Sequence, residues 1–258
     1  AFDYIKDETD IFPIVRSMGE IAGTSSILIA AELLTTFSGG RGLLMGGIPG
    51  VKPTRVVIIG AGTVAEYAAR SAIALGALVS VFDNSVARLR RIQSDLSVPI
   101  ATSILQPKVL EKALKRADVV IGALRAKEGR TPCVISDEMV QKMKPKSVIV
   151  DVSIDQGGCF ETSELTTHES PTFTKHGIIH YGVPNIASRV AKTASFSLSN
   201  ILAPLLIKVG DGGGVKGMLL RSPNIKGGVY VYNGIITNRG IGSWFDLPYK
   251  EIRLLLGH

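Results

Sequence analysis

Cysteine is scarce in this chain. Only Cys133 and Cys159 occur among 258 residues, in no C-x-x-C pair, which argues against a disulfide framework and for a reducing compartment. Aromatics make up 6% of the chain, Trp244 is the single tryptophan, and no basic run is interleaved with aromatic residues. A stacking platform for nucleic acid is therefore not expected. Long apolar runs are missing too. Despite a mean hydropathy of +0.28, stretches such as Ile27–Ala31 and Ile201–Ile207 fall well below the roughly 18 residues that span a bilayer, and no basic-then-apolar leader opens the chain. No membrane partner is expected. The first residue is Ala1 rather than methionine, which points to a trimmed chain or a fragment.

What is present is ordinary globular chemistry, with 45% apolar and 20% charged residues, enough to bury a core without disulfides. At about 150 residues per domain, the length fits one large domain or two small ones. Lysine and arginine exceed aspartate and glutamate by 29 − 22 = 7. The excess is scattered in clusters such as Arg88/Arg90/Arg91, Lys112/Lys115/Arg116 and Lys142/Lys144/Lys146, which read as solvated helix faces.

Ser17-Met18-Gly19-Glu20 fits a capping box and predicts a helix running to about Phe37, with Gly39-Gly40 as its stop. Glycine turns at Gly46-Gly47 and Pro49-Gly50 follow. From Arg55 the pattern changes: Val56–Ile59 is a β-branched run, as in a strand buried on both faces of a parallel sheet. Further strands are expected at Leu78–Phe82, Pro99–Ser103, Val119–Ala123, Ser147–Ser153 and Gly177–Val183. Helices are expected at Val64–Leu75, Val86–Gln93, Pro107–Arg116 and Asp137–Met143. This alternation predicts an α/β fold, a doubly wound parallel sheet, with long linking helices and a remnant of a second domain. Thr193–Val209 reads as one long helix despite Pro204, and Asn233-Gly234 as a type I′ hairpin turn. The expected division is 1–40 linker and helix, 41–190 sheet domain, 191–258 tail of a second domain.

Gly60-Ala61-Gly62-Thr63-Val64-Ala65 is G-x-G-x-x-A between a strand and a helix, the context in which glycines let backbone approach a pyrophosphate at a helix N-terminus. Asp83 ends the second strand, 83 − 60 = 23 residues on, where a carboxylate accepts from ribose hydroxyls and disfavours a 2′-phosphate. The competing structural role for Asp83 is capping the helix from Val86. Arg88 lies near enough to receive a 2′-phosphate, but NAD is the expected cofactor. Asp155 follows a strand and precedes Gly157-Gly158; by position alone it is a turn aspartate. His176 and His180 are spaced i, i+4 but on a predicted strand, His168 stands alone and His258 is terminal, so no metal site is expected. Gly210–Lys216 lacks the G-x-x-x-x-G-K-[ST] pattern of a phosphate loop, and no G-x-S-x-G elbow occurs.

The strings Ser17–Gly23, Gly47–Val51, Ile59–Val64, Ile149–Cys159 and Val183–Ile186, in this order and spacing, resemble the alanine dehydrogenase family over nearly the whole chain from Met18. The resemblance implies NAD-dependent oxidative deamination of L-alanine to pyruvate and ammonia, in a cytoplasmic homo-oligomer, a hexamer. It implies Asp155 as an active-site residue facing substrate and nicotinamide. Gly60, Gly62, Thr63, Val64, Asp83 and Arg88 would hold the adenosine side, Ala123, Leu124 and Val152 would flank the cofactor, and Asn185 and Ile186 would line the nicotinamide pocket. It also implies that the substrate-binding arginine and lysine and the catalytic histidine come from a preceding segment. The chain departs from the family at Gly19 (usually serine), Thr24 (usually basic) and Ala191 (usually proline). Two other readings stand beside this one: a transhydrogenase nucleotide-binding subunit, whose usual EQGGN differs from Asp155–Cys159 here, and a non-catalytic dinucleotide-binding module.

Overall fold

A computed structural model describes residues 1–125 and 130–257; His258 lies outside them. The chain forms two compact units, Gly19–Arg189 and a second that joins Ala1–Met18 to Val190–His258.

The first unit is built on β1 (Arg55–Ile59), β2 (Leu78–Phe82), β3 (Ala101–Ser103), β4 (Val119–Gly122), β5 (Val148–Asp151), β6 (Thr172–Lys175) and β7 (Ile178–Tyr181), in spatial order β3-β2-β1-β4-β5-β7-β6. Successive residues of a strand face opposite sides, and both sides are buried. Val56 and Ile58 join one core cluster with Val79, Val81, Ile121 and Val150. Val57 and Ile59 join another with Phe82, Val120 and Ile149. Helices α2 (Thr63–Ala74) and α3 (Val86–Leu96) cover the first face through Ala65, Ala68, Ala72, Leu89 and Ile92. On the other face lie α4 (Pro107–Leu114) and α5 (Asp137–Gln141), through Leu110, Leu114 and Val140. The doubly wound sheet is therefore as expected, with one change at its edge. β6 runs antiparallel to β7, pairing Thr172 with Tyr181 and Lys175 with Ile178. Thr172–Lys175 is half polar, and its short alternation did not register as a strand.

Helix α1 (Pro13–Leu33) begins four residues before the expected capping box and ends four before Phe37. Proline suits a first turn, where its missing N–H is not needed. Ser17 is interior to the helix, and its Oγ meets Ser197 Oγ instead of capping. The C-terminal half of α1 packs into the first core cluster through Ala22, Ile27, Ile29 and Ala30. A Cβ at Gly23 would lie 2.4 Å from the Val64 carbonyl oxygen, so glycine there is what lets α1 cross the start of α2 closely.

The second unit holds α6 (Ala191–Asp211), α7 (Gly214–Arg221), α8 (Pro223–Lys226), the hairpin β8 (Val231–Tyr232) and β9 (Ile235–Ile236), α9 (Arg239–Phe245) and α10 (Ile252–Leu255). Asn233 and Gly234 both have positive φ, 49° and 78°, the backbone a type I′ turn requires. Gly210–Lys216, rejected as a phosphate loop, ends α6 and opens α7. The segment Ile186–Asp211 is 26 residues long and contains an 18-residue stretch of mean hydropathy 1.4, only 6% of it buried, so by length and composition it could cross a membrane. Serines, Asn200 and Pro204 break it into short runs, which is why run length alone missed it. A single such helix is weak evidence on length and composition alone, so it assigns no membrane role.

Candidate functional site

Parallel register aligns the carboxyl ends of the central strands: Ile59 pairs with Phe82 and with Gly122, and Gly122 with Asp151. The order reverses between β1 and β4, the switch point where open α/β sheets bind ligands.

The glycine loop leaves β1 there. Gly60 N–H donates to the Phe82 carbonyl at 2.6 Å, and Ala123 N–H to the Ile59 carbonyl at 2.8 Å. Gly60 has φ 115°, and a Cβ on it would come 2.4 Å from the Ala123 carbonyl oxygen; only glycine fits. Gly62 is the N-cap of α2 and has no side-chain cap. A Cβ there would meet nothing within 4 Å. The positive end of the helix therefore opens onto free space, as an anion site needs.

Asp83 follows β2 and is 4% exposed. Its Oδ2 accepts from Ala61 N–H at 2.8 Å and its Oδ1 from Ser85 N–H at 2.7 Å. The cap of α3 is Ser85, which accepts from Arg88 N–H, so the capping role weighed for Asp83 goes to its neighbour. Arg88 Nη1 lies 3.8 Å from Asp83 Oδ2. Sequence reasoning passed over Arg91, whose Nη2 donates to the Ala61 carbonyl at 3.0 Å and ties α3 to the glycine loop. Its spacing of three from Arg88 on one helix face was the available signal.

Beyond β5 the chain makes a 3-10 turn, Val152–Gln156. Asp155 is on its exposed side, and its Oδ1 accepts from Asn185 N–H at 2.9 Å. Asn185 holds a left-handed φ of 53°. Desolvation by the surrounding turn pushes the Asp155 carboxyl above its ordinary value, and the Asn185 N–H partly offsets this. Among the remaining expected contacts, Thr63 is half-buried, Val64 and Val152 pack at the margin of the first core cluster, and Leu124 packs against the second. Ala123 is 9% exposed and Ile186 3%, with the Ile186 side chain inside the first core cluster rather than lining a pocket.

The histidines lie elsewhere. His180 is buried in β7: its Nδ1–H donates to the Ile178 carbonyl, Nε2 accepts from Thr162, and burial lowers its pKa. His176 pairs with Asp137 at 2.9 Å in the turn before β7. His168 is not alone; its Nε2 is 2.9 Å from Ser188 Oγ, which donates to the Asn185 carbonyl.

Residues 26–239 match the family described as Alanine dehydrogenase/PNT, C-terminal domain. An alanine dehydrogenase of Methanococcus maripaludis is 37% identical over 250 residues, covering 96% of this chain and 67% of that protein. One of Mycolicibacterium smegmatis is 39% identical over 251 residues, covering 97% and 67%. A solved L-alanine dehydrogenase structure superposes with a TM-score of 0.89 at 35% identity, over 95% of this chain and 68% of that one. The chain spans about two thirds of these relatives. With its glycine loop, the Asp83 carboxylate just past the second strand and the Asp155 turn at one sheet edge, it belongs to the alanine dehydrogenase/PNT C-terminal domain family.

Proposed function

We propose that this protein catalyses the reversible, NAD-dependent oxidative deamination of L-alanine to pyruvate and ammonia, with this chain supplying the dinucleotide-binding part. The observation that carries the reading is the convergence of the glycine loop, Asp83 and the Asp155–Asn185 pair at the carboxyl edge of one parallel sheet. The residues fit the cofactor. The open N-terminus of α2 at Gly62 suits a diphosphate, and each Asp83 oxygen retains acceptor capacity for ribose hydroxyls beyond the one N–H it holds. A buried carboxylate at that point disfavours a 2′-phosphate and so favours NAD over NADP; Arg88 offsets part of this field.

A nicotinamide dinucleotide held by the glycine loop and Asp83, with its reactive ring beside Asp155 and Asn185, would supply the hydride-accepting chemistry for the alanine Cα. Asp155, ionised, stabilises the positive charge that grows on the amine-bearing carbon and orients the proton transfers at the amine. Asn185 N–H keeps that carboxylate in place. Exposed Leu28 and Phe37 on one unit, and Phe196, Leu206 and Ile207 on the other, support self-association, and the family resemblance supports a hexamer in the cytoplasm. The experiment is an Asp155→Asn variant of the full-length protein. Its kcat should fall about 100-fold or more with NADH binding retained; wild-type kcat in D155N would overturn the role.

A further inference from the structure

The twelve residues 152–163 carry Asp155, yet little regular structure. They leave β5 in a 3-10 turn, reverse at Gly157 (φ 99°) and Gly158 (φ 77°), and return through Cys159 and Phe160 to Ser163. One side chain receives donors from both ends of this excursion. Asp151 Oδ1 accepts from Ser153 N–H at 2.9 Å on the outgoing limb. Asp151 Oδ2 accepts from Cys159 N–H at 3.0 Å and Ser163 Oγ–H at 2.5 Å on the returning limb. The residue is 2% exposed. Its two oxygens are also boxed in: a Cβ on Gly122 would stand 2.6 Å from Oδ1, and one on Gly158 2.6 Å from Oδ2.

We propose that Asp151 is a positioning residue of the reaction: by clamping the two limbs of the 152–163 turn it sets where Asp155 presents its carboxylate. This rests on the functional reading above. The chemistry calls for a carboxylate and not its amide. Two fixed backbone N–H groups approach from opposite limbs, and each needs an acceptor. Asparagine offers one carbonyl oxygen, so either orientation of its amide turns an NH2 toward a backbone N–H. A buried donor that loses its acceptor is costly, and the turn opens to recover it. Burial pushes the Asp151 carboxyl up, and its donors pull it back. That balance is tolerated in a residue far from solvent because the loop needs two acceptors at one point.

The test compares wild type, Asp151→Asn and Ser163→Ala in the full-length protein. The readouts are kcat and KM for L-alanine, NADH affinity by fluorescence, melting temperature, and amide hydrogen exchange at Ser153 and Cys159. In D151N, kcat should fall about 10- to 100-fold, the range that misplacement by about 1 Å produces. NADH affinity should stay within a few-fold, because Gly60–Val64 and Asp83 are untouched. S163A removes one donor and should lower kcat about 5-fold with its melting temperature near wild type. Should D151N fail to fold, S163A decides by the same split. Wild-type kcat in the folded variants overturns the proposal, as does a parallel loss of kcat, NADH binding and melting temperature in both. If the wild type does not oxidise alanine, the functional reading falls separately. Amide exchange still tests the clamp: faster exchange at 153 and 159 in D151N supports it, and unchanged exchange overturns it.

Discussion

The two units use similar apolar material to opposite effect. In the sheet unit, Val56, Ile58, Ile59, Ala65, Val120 and Ile149 are fully buried between helices on both faces. In the second unit α6 is as apolar as α1, yet Phe196, Leu206 and Ile207 are 63 to 66% exposed and Ala194 is the one buried residue of the helix. Burial follows from available partners rather than from hydropathy. Helix α1 has a sheet face to cover, whereas much of α6 has no covering side chains among the described residues. The site follows the same division. Its described parts lie at the carboxyl edge of the unit with the closed core, where rigid strands hold loop residues in place.

The contrast can be broken from the sheet side first. Gly60→Ala adds a Cβ 2.4 Å from a carbonyl oxygen at a φ of 115°; overpacking plus strain should cost about 4 kcal/mol and abolish NADH binding, read by denaturant melts and fluorescence. Ile58→Ala leaves a cavity in a fully buried strand and should cost about 3 kcal/mol by the same melts. Gly23→Ala should cost about 2 kcal/mol by forcing α1 off α2. A smaller effect concerns pH. Burial raises the Asp155 carboxyl above 3.8, so protonation sets in at higher pH than for a free aspartate. The acid limb of kcat should therefore lie above that value, and a limb below it would contradict the assignment. Least of all, Ile207→Ala on exposed α6 should change monomer stability by under about 0.5 kcal/mol while weakening self-association in light scattering.

Much of the scaffold was legible in the sequence. β2 has the expected bounds, and β1 and α2 differ from theirs by one residue, because a β-branched run followed by G-x-G has few alternative structures. Asp83 was singled out from its place at a strand end, whereas Asp155, a turn aspartate by position alone, was singled out only by the family resemblance. The start of α1 was hidden because Ser17–Glu20 satisfies a local capping rule that an earlier proline pre-empts. The bond from Ala61 to Asp83 and the Arg91 tie to Ala61 were not legible, since each joins segments brought together only when the sheet forms, and the clamp at Asp151 was hidden because it depends on how the 152–163 turn closes on itself. His168 looked isolated for the same reason, its partner lying twenty residues on.

The most direct measurement is the product balance of the full-length protein given L-alanine and NAD. Equal amounts of pyruvate, ammonia and NADH are predicted, with NADP a poorer acceptor than NAD. A protein that binds NADH yet forms no pyruvate from alanine would contradict the account.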